Sequence, residues 1–142
     1  MSVELIFLIN TFASFFMTGL IWIVQLVHYP SFHYVGEDNF KAFQLHHVNS
    51  IDKIVIPVMV VELATSFGLA WADGFLSLNA TGLYLVILIW ASTGLFSVPA
   101  HTKLESSKDD QAIKKLVSTN WFRTILWSLK SGLNLYLLYH LL

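Results

Sequence analysis

Residues 5–27 read "LIFLINTFASFFMTGLIWIVQLV", 23 positions without a formal charge. At about 1.5 Å of rise per helical residue, this run exceeds a hydrocarbon core roughly 30 Å thick. Lipid offers the backbone no hydrogen-bond partner, so such a segment crosses as a helix. It starts beside Glu4 rather than after a basic n-region and is longer than a usual signal-peptide apolar stretch, so we read it as a retained helix. Similar runs follow, giving predicted spans at about 5–28, 54–72, 82–100 and 121–141.

Composition agrees with the bilayer as solvent. The 142 residues predict a single domain, 1–142, and are 56% hydrophobic but only 12% charged, against roughly 25% charged in soluble domains. The formal charge of −1 and the lack of a polybasic tract predict no nucleic-acid partner, leaving the lipid bilayer, a lipid-soluble ligand or a second copy in a homo-oligomer. There is no cysteine, so disulfide and thiolate chemistry are absent and any metal would need nitrogen or oxygen ligands.

Lys41 and Lys53 lie in the first connection and Lys103, Lys108, Lys114 and Lys115 in the third, while Arg123 opens the fourth span. The second connection, "ADGFLSLNA" (72–80), and the N-terminus carry no Lys or Arg. Basic residues favour the cytoplasmic side, which predicts both termini outside. Glu37 and Asp38 can start a helix on which Phe40, Phe43, His47 and Ile51 recur, predicted to lie on the membrane surface before the second span. In "SSKDDQAIKKLVSTNW" (106–121) a Ser cap, early acids and Asp110 four residues before Lys114 predict a helix running into the fourth span. The predicted fold is all-α, an antiparallel four-helix membrane bundle with an interfacial helix before the second span.

Polar residues inside these spans align. Thr11, Ser14, Thr18, Gln25 and His28 share one stripe, Glu62, Thr65 and Ser66 another, and Trp90, Thr93, Ser97 and His101 a third. The fourth carries Asn120, Arg123, Trp127, Lys130, Ser131 and Asn134. Such stripes face one another in a bundle, because a polar side chain gains nothing from lipid. Small residues among them serve close packing. Glu62 and Lys130 each fall about nine residues, or roughly 14 Å, beyond the cytoplasmic start of their spans, so an ion pair at one depth is expected.

Five of the six histidines, His28, His33, His46, His47 and His101, fall in the cytoplasmic half. His28 ends the first span before Pro30, which is expected to stop that helix, and His101 follows the third. His28, His47 and His101 are candidate ligands for haem iron, nonhaem iron, copper or zinc. Gln25, Tyr29 and Asn120 could support them through the second ring nitrogens. The rival account is an interfacial belt of histidine and aromatic rings. Phosphate-loop, GxSxG and HExxH motifs are absent.

The segments "VQLVHYPSF" (24–32), "HHVNSIDKIVIPVMVVEL" (46–63), "VPAH" (98–101) and "STNWFRTILWS" (118–128) resemble a widespread family of small, uncharacterised four-span bacterial membrane proteins. That resemblance implies a bacterial cytoplasmic membrane and singles out His28, Tyr29, Pro30, His47, Pro57, Glu62, Pro99, His101, Asn120, Trp121, Arg123 and Thr124. More remotely, the short four-span form and the Arg-Thr pair resemble anthrone-oxygenase-like membrane proteins, with His101 where those carry a more amide-like residue. This implies oxidation of a hydrophobic aromatic substrate. The expected function is a membrane metal-dependent redox or oxygenase-type protein with a histidine-lined pocket near the cytoplasmic face. In it Glu62 would tune the pocket or move protons, and Arg123 with Asn120 would orient a ligand or an anionic group. The alternative is a nonenzymatic ligand-binding, transport or structural subunit, in which Glu62, Lys130 and Arg123 handle a polar ligand.

Overall fold

The computed structural model describes residues 2–141; Met1 and Leu142, the outermost positions of the predicted domain, lie outside them. Ser2 accepts from the Leu5 N–H and starts α1 (Val3–Ile23), which passes through a π-turn (Val24–His28) into α2 (Tyr29–Ser31) and a 3₁₀ turn (Phe32–Tyr34). Next come α3 (Glu37–Asp73), α4 (Leu78–Ser92), a π-turn (Thr93–Ser97), α5 (Val98–Ser106) and α6 (Asp110–Leu141). Together they make four helical rods: α1–α2, α3, α4–α5 and α6. Three of the rods, Val3–Tyr34, Glu37–Asp73 and Leu78–Ser106, are long and apolar enough to cross a membrane.

Side-chain contacts fix their senses. Asn10, Ser14 and His28 meet Ser66, Glu62 and His47, so α1 and α3 run in opposite directions. Asn10, Thr18 and Gln25 meet Asn134, Ser131 and Asn120, which sets α1 against α6 in the same way. Lys108 Nζ donates to the His33 and Val35 carbonyls, placing the first and third connections at one end of the bundle.

Two expectations fail on local backbone chemistry. The surface helix is no separate element, because α3 runs unbroken from Glu37 through Pro57 to Asp73. Nor does Pro30 stop the first rod. Pro30 has no N–H for the Leu26 carbonyl and Pro99 none for Leu95, and in both rods the turn just before widens to π geometry, making room for the ring. The cap before α6 is also not a serine: Asp109 Oδ1 accepts from the Ala112 N–H at 2.9 Å.

The outward faces carry Phe12, Ile23, Phe67, Trp71, Leu95, Ile125 and Tyr139, all exposed, whereas Asn10, Gln25, Glu62, Asn120, Arg123, Lys130 and Asn134 are buried. That inversion suits a lipid surround, where burial of polar groups against each other replaces burial of apolar groups away from water.

The predicted Glu62–Lys130 ion pair is not formed. Glu62 accepts from Ser14 Oγ at 2.7 Å and from Trp127 Nε1 at 2.9 Å. Lys130 Nζ donates to Asn10 Oδ1 at 2.7 Å and to Asn134 Oδ1 at 3.4 Å. Asn134 Nδ2 joins the halves by donating to Asn10 Oδ1 and Ser14 Oγ. Gly82 lies against the lysine head, where a Cβ would stand 3.4 Å from Nζ, in ordinary van der Waals contact. A long lysine chain reaches past Glu62's level to the amides, and two short polar side chains fill the gap. Asn10, absent from the predicted stripe, lies one turn before Ser14 on the same face.

Replacing Asn10 by Leu strips Lys130 and Asn134 of a shared acceptor and is expected to cost about 3 kcal/mol in detergent unfolding titrations. A loss below about 0.5 kcal/mol would show that the network can re-form without it. At the other end, the Lys103 ammonium, 2.5 Å away, and the Ala112 N–H hold the Asp109 carboxyl below the usual carboxylate range. A carboxyl stabilised as its anion supports the fold above its unfolded pKa and ceases to as pH falls through its folded value. Acidification should therefore reduce amide-exchange protection at Ala112 and Ile113 in the native chain, but not in Asp109→Ala.

Candidate functional site

Between α1, α3, α4, the second π-turn and α6 lies a cavity of about 250 Å³. Its walls are apolar, with Met17, Ile21, Val55 and Met59 among them, and Trp127 separates it from Glu62. Tyr29, Thr93, Ser97, His101 and Arg123 add polar groups to the lining, as does the exposed Asp52. Both π-turns border this region: one directly precedes Tyr29, and the other contains Thr93 and Ser97, with His101 just beyond it.

His101 is held on both ring nitrogens, Nε2 lying 3.0 Å from Tyr29 Oη and Nδ1 2.9 Å from the Gln44 side-chain amide. Arg123 Nη2 donates to Tyr29 Oη at 3.2 Å. Arg123 is held from behind by Asn120 Oδ1, which accepts from Nε at 3.0 Å and also from Nη2. Asn120 Nδ2 donates to Gln25 Oε1 at 2.8 Å, and Gln25 Nε2 donates to the Val117 carbonyl. Thus Gln25 and Asn120 brace the cation rather than line the cavity.

His28 Nε2 and His47 Nδ1 stand 2.8 Å apart, and the His47 ring lies 5.3 Å from that of His101. Phe32 and Phe43 pack against this pair. His47 is buried with Nε2 unpartnered, whereas His46 faces outward, which answers which of the two adjacent rings turns inward. His33 pairs with Asp110 near the surface instead. The three candidate ligands are neighbours, but only His101 lines the cavity.

Their fit to a metal can be tested on these nitrogens. His101 has both engaged by Tyr29 and Gln44, while His28 Nε2 and His47 Nδ1 point at each other and leave His47 Nε2 without a partner. Two axial imidazoles on one haem iron would stand about 4 Å apart across it, wider than this pair. Among the described residues, no group of three or more His, Cys, Asp or Glu is disposed to hold one ion. As arranged, the residues do not fit a three-histidine centre.

Gln44 was missed in the sequence, although it precedes His47 by three positions and follows Phe40 by four, the spacing of one helix face. Its amide can face His101 Nδ1 with either end. With Nε2 donating, the ring carries its proton on Nε2, toward Tyr29; with Oε1 accepting, the ring proton sits on Nδ1 and Nε2 accepts from the tyrosine. Either tautomer keeps a partner.

Gln44→Leu removes this support and should lower stability by about 1–2 kcal/mol, as a buried polar group loses its partner. Unchanged unfolding would mean that His101 is held by Tyr29 alone. No family model, curated protein or solved structure matches the chain.

Proposed function

We propose that this chain is a four-span membrane protein of the redox or oxygenase type that takes a lipid-soluble substrate into the cavity and uses His101 and Tyr29 to move its proton. The observation that carries this reading is the pairing of a 250 Å³, mainly apolar cavity with the hydrogen-bonded set Tyr29, His101 and Arg123 on its wall. The fourth rod belongs to the spans because its two charges within residues 121–141, Arg123 and Lys130, are buried in the bundle while Phe122, Ile125, Leu129, Leu135 and Tyr136 face outward. The lysine-bearing connections then lie in the cytoplasm and both termini outside.

A base beside an apolar cavity suits a substrate that becomes reactive on losing a proton, such as a hydroaromatic ketone or a phenol. Deprotonation gives an electron-rich anion, the form that dioxygen or another acceptor oxidises. With its own proton on Nδ1, held by Gln44 Oε1, His101 takes the substrate's proton at Nε2, directly or through Tyr29 Oη, and becomes an imidazolium. His47 and the half-exposed His28 lie beside this ring toward the edge of the bundle, hydrogen-bonded to each other but not to His101. The oxygenase class itself draws on the resemblance of "STNWFRT" and the four-span form, and proton transfer is what the geometry supports. A positioned acid–base pair contributes about 10²–10⁴-fold to such a step.

A second reading, ligand binding or transport without chemistry, is favoured by one observation: Glu62 and Lys130 are both buried mid-bundle and joined through Asn10, Ser14 and Asn134. The readings separate in reconstituted vesicles supplied with a two-ring hydroaromatic ketone such as 2-tetralone. The first expects protein-dependent dioxygen uptake that falls about 10²-fold or more in His101→Asn. Uptake indifferent to His101, or none alongside ligand accumulation, would overturn it. Stoichiometric metal retained through chelator-free extraction would replace it with the metal-dependent version.

A further inference from the structure

Arg123 is 6% exposed, and all its partners are neutral. Nε and Nη2 donate to Asn120 Oδ1, Nη2 also to Tyr29 Oη at 3.2 Å, and Nη1 reaches Thr93 Oγ1 at 3.5 Å. Among the described residues, side-chain ion pairs are confined to His33–Asp110 and Lys103–Asp109, so no carboxylate answers this cation. Asp52, the one acid on the cavity wall, is exposed and forms no pair with it. A guanidinium cannot shed its charge, and a charge buried in a low-dielectric interior without a counter-ion is strongly unfavourable. The cavity meets this group directly. Trp90 lines the same cavity with a buried Nε1–H that has no partner.

An unanswered cation and an unused N–H donor in an otherwise apolar cavity have one shared complement. We propose that the ligand of this cavity is an amphipathic monoanion, whose oxyanion, a carboxylate or an enolate, is received by Arg123 and Trp90 while its apolar body fills the rest. The available space sets the size: a cavity of roughly 150 Å³ takes benzene, so 250 Å³ suits a body of about two fused rings. The neutral groups around Arg123 hold it in place without cancelling its charge, as a site for an incoming anion requires. The inference rests on reading the cavity as a substrate site and sharpens it to a charge class. Arg123 then stabilises the anion left after His101 has taken the proton.

The test is binding to the full chain in nanodiscs, with protein-free discs subtracted, using 2-naphthoate, 2-naphthamide, naphthalene and laurate. Naphthoate should bind at least about tenfold more tightly than naphthamide, as expected for a charge meeting a desolvated partner. Arg123→Gln should bring the two within about twofold, and Trp90→Phe should weaken naphthoate several-fold. Asn120→Asp puts a carboxylate where Arg123 already donates. It should abolish the preference with Arg123 still present, and it decides the matter should Arg123→Gln fail to fold. Equal affinity for naphthoate and naphthamide, with naphthalene still bound, would overturn the anion and leave the cavity reading standing. Failure of all four probes would overturn both. Tighter binding of laurate, with the same dependence on Arg123, would uphold the oxyanion and replace the fused-ring body with a chain.

Discussion

One amide ties three helices together. Asn10 Nδ2 of α1 has the Glu62 carbonyl, Thr65 Oγ1 and Ser66 Oγ of α3 within reach of its two hydrogens, and its own carbonyl accepts from Lys130 and Asn134 of α6. The constraint behind this is that polar groups amid apolar surroundings find no water, so each must be matched by another polar group at the same depth. In a bundle whose outer surface is apolar, such matching sets helix register more sharply than contacts between leucines, which slide with little loss. Glu62 and Lys130 are tolerable on these terms. Each is surrounded by oriented dipoles, so neither needs to touch the other.

Nearer the end with the lysine-rich connections, the same constraint is only partly met. Gln25, Asn120 and Tyr29 satisfy the hydrogen-bonding geometry of Arg123 without supplying a counter-charge. Trp90 Nε1, Gln44 Oε1 and His47 Nε2 are buried without partners in this same neighbourhood. The two proline-dependent π-turns also occur here, and π-turns gather at functional sites because they re-aim the side chains around them. Thr11 Oγ1 and Ser92 Oγ are buried without partners as well, but Trp90 Nε1 is the unpartnered donor on a residue that lines the cavity together with Arg123.

Much of this was legible in the chain. Long uncharged runs gave the helices, and the stripes through Ser14, Glu62, Asn120 and Arg123 gave the inward faces, since a helical period of about 3.6 residues depends on order alone. The grouping of His28, His47 and His101 followed from reversing direction at each connection. What failed were statements about contact. A similar axial depth for Glu62 and Lys130 says nothing of the azimuth at which each points, and Asn10 and Asn134 occupy the interval. Three imidazoles at one level likewise need not share a centre: both nitrogens of His101 face Tyr29 and Gln44, and His28 Nε2 faces His47 Nδ1.

The sequence by itself determined that the chain is helical and which face of each rod turns inward, because hydropathy and periodicity are properties of order along the chain; it predicted four spans, and three rods are long and apolar enough to cross a membrane. Only the tertiary structure decided that Asn10 mediates between two buried charges, that His101 rather than His28 or His47 lines the cavity, and that Arg123 meets it without a carboxylate. Those facts depend on how helices rotate and slide against one another. Rotation and register are set by the simultaneous matching of polar atoms from several helices, which no single stretch of sequence contains.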